Sequence, residues 1–401
     1  MLRIRRKLMQ SFKSFLLEES EAEGAKLKHI THAEDRPLQS GSKGFEHAYN
    51  ALNTAHQHAK SSGHSTHLTM KYDGSPAVVF GHHPETGKFF VASKSAFNKN
   101  PKINYTHKDI EKNHGHAPGL MQKLHASLDH LKKIAPKTGV YQGDLMYTHD
   151  DLVHKKGGKI SFTPNTITYT GKGDEANRIG DSKIGVVVHT QYHGKTVDSM
   201  AADPHPDLHN FQHHPDVWTK HPAHDTSKID YNEKEQSLFQ KHMEAAKKIH
   251  DDNGEKMYKA TEPHQGPGNH LETYINHTVR TDEKPTAAGL IKHINSKYQK
   301  AAEKLKTPVA QSRKEKEAQS HAEHIEKNKE HYNNLLSMHN HLQKAKDVLV
   351  RNLEKHTGDL EHHIDNKKTG PEGFVVHHAG EPTKLVNRKE FAKANLLKVR
   401  K

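Results

Sequence analysis

The chain has 401 residues, enough for two or three domains, and its 61 Lys and Arg against 48 Asp and Glu give a net charge of +13, which points to a polyanionic partner. It contains no cysteine, which excludes disulfides, thiolate zinc sites and a cysteine nucleophile, and no apolar run is long enough to span a membrane. With 32% hydrophobic residues and a mean hydropathy of −0.98, the chain is poor in apolar residues for one large packed core, so a compact part carrying extended, wet helices is expected, in a cytoplasmic protein.

Residues 1–44 read as an N-terminal helix and loop. Phe12, Phe15, Leu16 and Leu17 suggest a short amphipathic helix, while Pro37 and Gly41-Ser42-Lys43-Gly44 mark a loop without the spacing of a Walker phosphate loop. From 45 to 194 helices and strands mix. Phe45, Ala48, Tyr49 and Leu52 share one helical face, and Leu68 to Lys71 reads as a strand. Ala77–Phe80 and Lys88–Ser93 flank the turn at 84–87 as a β-hairpin, and Leu120, Leu124, Leu128 and Leu131 mark a second amphipathic helix. Val140–Leu145, stretches within 159–170, and the apolar run at 183–190 are further strands, the last apolar enough to lie centrally in a sheet.

Residues 195–368 read as a linker followed by a large helical insert. Its start is rich in Pro, His and Asp. His205, His209, His213, His214, His221 and His224 lie among Asp203, Asp207, Asp216 and Asp225, but their spacing matches no zinc pattern, so a solvated loop is expected, with Trp218 anchoring it. Helical patterns follow, ending in a segment from Ile325 to Leu353 whose Lys, Glu, His and Asn content suggests a solvated, coiled-coil-like hairpin. A strand signal returns after Gly370-Pro371, within a final segment at 369–401.

One stretch organises the rest: Lys71-Tyr72-Asp73-Gly74, a lysine at a strand end one residue before an Asp-Gly turn. A lysine amine attacks an electrophile only when neutral, so neighbours that depress its pKa are expected. Downstream, in order, stand Tyr141-Gln142-Gly143-Asp144, Lys183-Ile184-Gly185-Val186, Glu372-Gly373-Phe374-Val375 and Lys384-Leu385-Val386-Asn387-Arg388, with Ser93-Lys94 at the end of the hairpin. This series resembles the motifs of the covalent nucleotidyltransferases, the superfamily of ATP-dependent RNA and DNA ligases and capping enzymes, and is most like the RNA ligases. Asp144 stands where that family usually has Glu, Val386 where it has a second lysine, and Pro76 where many DNA ligases have Arg.

The resemblance implies an α+β nucleotidyltransferase (ligase adenylation) domain with antiparallel sheets, interrupted by the helical insert. It implies ATP and Mg²⁺ as cofactors and nucleic acid, RNA before DNA, as partner. Lys71 would be the nucleophile forming a lysyl-AMP. Asp73, Gly74, Ser93, Lys94, Asp144, Lys183, Lys384 and Arg388 would bind the nucleotide, and Glu372 and Asp144 the metal. The tail beyond Lys384, with Phe391, Leu396 and Leu397 as apolar anchors, is expected to form one short helix and no C-terminal OB-fold. A DNA ligase, another adenylyltransferase, or a non-catalytic nucleic-acid-binding protein with a decayed pocket remain alternatives.

Overall fold

The computed structural model describes residues 30–61, 64–261 and 266–388. The expected N-terminal helix around Phe12–Leu17 and the tail anchors from Phe391 lie outside them. In chain order the elements are α1 (Arg36–Lys60), β1 (His64–Lys71), β2 (Ala77–His82), β3 (Phe89–Ala92), α2 (His107–His114), α3 (Pro118–His130), β4 (Val140–Thr148), β5 (Val153–Lys155), β6 (Lys159–Phe162), β7 (Thr168–Gly171), α4 (Asp174–Asp181), β8 (Ile184–His193), β9 (Ala201–Asp203), β10 (Val217–Thr219) and β11 (Ala223–Asp225). Then follow α5 (Glu233–Thr261), α6 (Leu271–Thr281), α7 (Ala287–Ala302), α8 (Pro308–Lys327), α9 (Lys329–Leu353), β12 (Glu361–Ile364), β13 (Lys367–Lys368), β14 (Gly373–His378) and β15 (Glu381–Leu385). The fold is α+β, its sheets are largely antiparallel, and it carries a helical insert. Among the described residues no helix is long and apolar enough to cross a membrane.

Contacts gather the described chain into two units whose limits differ from the division read from composition. The first comprises Thr69–His224 and Thr357–Glu372; the second comprises Ile30–Leu68, Asp225–His356 and the chain from Gly373. The stretch expected to open the insert therefore belongs largely with the strands: β10 lies parallel to β8 and extends its sheet. Trp218 on β10 is buried, rings against Tyr147 and Phe162, and donates from Nε1 to Glu175 Oε1 at 3.2 Å, so it anchors this segment as expected.

In the first unit a six-stranded sheet runs β10-β8-β4-β2-β3, with β9 beside β8, and a five-stranded sheet runs β13-β12-β7-β6-β5. Alternation along the strands buries both faces of the larger sheet. Tyr141, Leu145, Val78, Phe80, Val186 and Val188 face one core with Leu120 and Leu124 of α3. Val140, Val79, Phe90, Ala92 and Tyr192 face the other. β8 is central, between β10 and β4.

The second unit holds the larger part of β1, the antiparallel pair β14 and β15, and the long helices. Two expectations are corrected here. The chain is helical from Arg36, not only from Phe45; the Gly41 region survives as a kink, with Ser40 and Gly41 off helical geometry. And α9 is a core helix rather than a solvated arm. Tyr332, Leu335, Leu336, Leu342, Ala345, Leu349 and Leu353 form a broad buried stripe against α5 and α1. Its buried polar members are tolerated inside because they have partners: Lys346 Nζ lies 2.9 Å from Glu34 Oε1 and donates to Val386 O at 2.7 Å, His339 Nε2 lies 2.9 Å from Asp35 Oδ1, and Asn352 Nδ2 donates to Val348 O at 2.8 Å. α8, with only Ala318 and Ile325 buried, is by contrast a largely wet helix.

Burial works to raise the Glu34 carboxyl, but Lys346, His32 and Arg388 outweigh it and hold it at about 2. A carboxylate held below its ordinary value of 4.5 stabilises the fold above that pH, and the contribution disappears as pH falls from 4.5 through 2. Urea unfolding followed by circular dichroism should therefore show stability falling across that window. Lys346→Met should cost about 3–5 kcal/mol by leaving Glu34 buried without its lysine, and Lys346→Met/Glu34→Leu should recover much of the loss.

Candidate functional site

Lys71 is the last residue of β1, and its side chain is one quarter exposed. Its Nζ donates to Glu372 Oε2 at 2.5 Å, across 301 residues of sequence. Asp144 and Asp73 also lie within electrostatic reach. Burial favours loss of the lysine proton, but Glu372, Asp144 and Asp73 together outweigh it and hold the ammonium above its ordinary value. The expectation of pKa-depressing neighbours is thus reversed: the groups around Lys71 are anionic. Burial pushes the Glu372 carboxyl up, and the Lys71 ammonium offsets part of that rise.

The Asp-Gly turn is built to hold this lysine in place. Asp73 Oδ1 accepts from Asn165 Nδ2 at 2.9 Å, Oδ2 accepts from the backbone N–H groups of Thr166 (2.6 Å) and Ile167 (2.9 Å), and its own N–H donates to Tyr169 Oη at 2.7 Å. Asp73 is therefore an anchor onto the β6–β7 turn, and its buried carboxylate is engaged by the chain itself. Gly74 meets strand β4: a Cβ there would lie 2.6 Å from Asp144 Cβ and 3.0 Å from Leu145 O. Ser75 N–H then donates to Leu145 O, and Leu145 N–H to Pro76 O, which clips the loop along β4. The glycine is required by this close approach to a neighbouring strand.

Asp144 reaches the same place from β4, opposite Val187 of β8. One residue earlier the pairing slips: Gly143 faces Val188 while Gln142 faces Thr190, so His189 is the extra residue of a β-bulge. Its Nε2 lies 3.5 Å from Asp144 Oδ1, and its Nδ1 lies 2.9 Å from Thr190 Oγ1. Burial alone would raise the Asp144 carboxyl; His189, Lys71 and Lys94 bring it below its ordinary value. His189 was not singled out from the sequence. A bulge depends on the partner strand, and a lone His after three valines carries no local signal.

The other candidate residues divide. Lys94 contributes to the field at Asp144, and Ser93 caps the short turn that carries Lys94, its Oγ accepting from Ser95 N–H at 3.2 Å. Lys183 is not brought to the site: it is exposed and lies four residues before Val187, about 13 Å along β8 at ordinary strand rise. Arg388 belongs to the second unit and is committed there, with Nη1 bound to both oxygens of Asp35 at 2.8 and 2.9 Å and Nη2 to Asn276 Oδ1 at 2.7 Å. Lys384 also belongs to that unit, on β15 opposite Val375. Gly373, following Glu372, is required by packing as well: at φ +153° its Cβ would fall 2.6 Å from Leu385 O.

A divalent cation can be tested against the donors present. Asp144 and Glu372 are hard carboxylate ligands, and Mg²⁺ commonly takes one or two of these and completes its shell with water and phosphate. The two fit such a site, although Glu372 Oε2 is engaged by Lys71. Among the described residues no three His, Asp or Glu side chains gather to hold a metal unaided, and this includes the His-rich loop. There, His205 and His209 donate backbone N–H groups to Asp203 and Asp207, and His224 is buried.

The fold and site thus define an α+β protein with a strand-end lysine set among three carboxylates. The chain belongs to the family described as Family of unknown function (DUF6267), whose model matches residues 27–400. No curated protein and no solved structure matches the chain significantly.

Asp73→Ala leaves the N–H groups of Thr166 and Ile167 without their acceptor and should cost about 2–4 kcal/mol in urea unfolding. Gly74→Ala should destabilise as well, because backbone and Asp144 must shift to admit the methyl group.

Proposed function

We propose that the protein is an ATP-dependent polynucleotide ligase, acting on RNA before DNA, whose first unit carries a ligase-type nucleotidyltransferase site. The observation that carries this reading is the meeting of Lys71, Asp144 and Glu372, three residues from motif-like stretches far apart in sequence, around one lysine amine. Lys71 Nζ attacks the α-phosphorus of ATP; a P–N bond forms, the bond to pyrophosphate breaks, and a lysyl-AMP results. Glu372 Oε2, already hydrogen-bonded to Nζ and raised in pKa by burial, takes the lysine proton. Asp144, oriented by His189, faces the same reacting centre. Mg²⁺ held by Asp144, Glu372 and phosphate oxygens would neutralise charge at the α-phosphate. The adenylate would then pass to a 5′-phosphate, and a 3′-hydroxyl would displace AMP to join the ends.

A second reading, a nucleic-acid-binding protein without catalysis, is favoured by two observations. Arg388 is committed to Asp35, and Lys183 stands away from Asp144. Incubation with α-labelled ATP and Mg²⁺ separates the two, since only an enzyme forms an acid-labile protein–AMP adduct. Lys71→Arg should abolish the adduct, because arginine stays protonated and cannot attack. Labelling of Lys71→Arg at the wild-type level would end the ligase reading. In the wild type, where Lys71 is held protonated above its ordinary 10.5, the labelling rate should climb with pH through the neutral and mildly alkaline range. Chelation of divalent cations should remove the adduct, and Glu372→Ala should lower it by about 10²-fold or more.

A further inference from the structure

A cavity of about 1150 Å³ opens in the first unit at the other end of the six-stranded sheet. Val140 lines it, four residues or about 13 Å along β4 from Asp144, so it is separate from the lysine site. One wall is the segment between α3 and β4, which carries Lys132, Lys133 and Lys137; His82, His83 and His193 contribute from the strand ends. Asp207 is the only carboxylate among the lining residues. Lys133 is ion-paired with Asp216, but Lys132 and Lys137 are exposed, and neither has an ion-pair partner among the described residues.

The lysine-bearing segment is fixed before any ligand arrives. Ile134 O accepts from Gln212 N–H at 2.9 Å, and Gly139 O from His82 N–H at 3.0 Å. His82 Nδ1 lies 2.9 Å from Pro136 O, which can only accept, so Nδ1 carries the proton there. A wall held in this way loses little freedom on binding. The cavity exceeds the usual range of about 300–1,000 Å³ for small-molecule pockets. A cavity of that size with exposed lysines along one wall suits a chain of phosphates better than a single anion.

We propose that this cavity binds the phosphate backbone of single-stranded RNA. The choice of RNA rests on the ligase reading; the choice of a phosphate chain rests on the cavity. The test titrates the full chain into fluorescein-labelled, 5′-phosphorylated single-stranded RNA over a range of NaCl concentrations, reading anisotropy, with Lys132→Glu/Lys137→Glu beside the wild type. Both side chains are exposed, so the variant should keep the wild-type thermal unfolding and the wild-type yield of protein–AMP. Its apparent Kd should rise about tenfold or more. The slope of log K against log salt should shrink by about 1.4, two contacts at roughly 0.7 each. Lys132→Gln/Lys137→Gln should show the smaller slope without the added repulsion.

Wild-type affinity and slope in both variants would overturn the proposal, as would tighter binding of a DNA strand of the same sequence. The two readings fail separately. RNA binding that depends on these lysines without any adduct would leave the cavity assigned and end the ligase reading. An adduct together with RNA binding indifferent to the lysines would do the opposite.

Discussion

The geometry of the candidate site depends on the Asp73 carboxylate. It accepts three hydrogen bonds from residues 165–167, while the next three residues are laid along β4 through Gly74, Ser75 and Pro76. A buried carboxylate without partners would cost several kcal/mol, so these bonds are obligatory once Asp73 is inside. The loop after Lys71 is thereby tied to both sheets of the first unit: to β4 of the larger and to the β6–β7 turn of the smaller. Lys71 can hold a fixed position relative to Asp144 and Glu372 because the loop that follows it has no slack.

This arrangement also sets the electrostatics. An ammonium surrounded by Glu372, Asp144 and Asp73 is stable as a cation, and burial is too weak to release its proton. The proposed attack by Lys71 therefore requires the surrounding negative charge to be neutralised or the proton to be taken by a neighbour. In that proposal Glu372 takes the second role, at hydrogen-bonding distance with a carboxyl raised by burial. His189 shapes the third corner through a bulge that turns an extra residue toward Asp144.

The second unit uses charge differently. Glu34, Asp35, Lys346, His339 and Arg388 are all buried, and each finds a partner within the group. Such a network is costly to dismantle one member at a time, which makes it a device for fixing the packing of α9 and of the chain after β15. It accounts for the helix that looked too polar to be a core element, and for an arginine that looked placed to grip phosphate.

Local pattern was sufficient for many elements. The hairpin of β2 and β3, the amphipathic α3, and the apolar strands β4 and β8 are legible because alternation and helical period report which face is buried, whatever the partner. The strand-end Lys71 with its Asp-Gly turn was legible in the same way. Partnership was not. The motif resemblance set Glu372 and Lys71 in one site across 301 residues, but that Asp73 spends its oxygens on a turn, that Gly74 and Gly373 make room for neighbouring strands, and that Arg388 pairs with Asp35 are properties of contacts between distant segments. A charged side chain looks the same in sequence whether it faces water, a ligand or a buried counter-ion. Only the folded chain chooses among these, because the choice depends on which desolvated charge lies opposite.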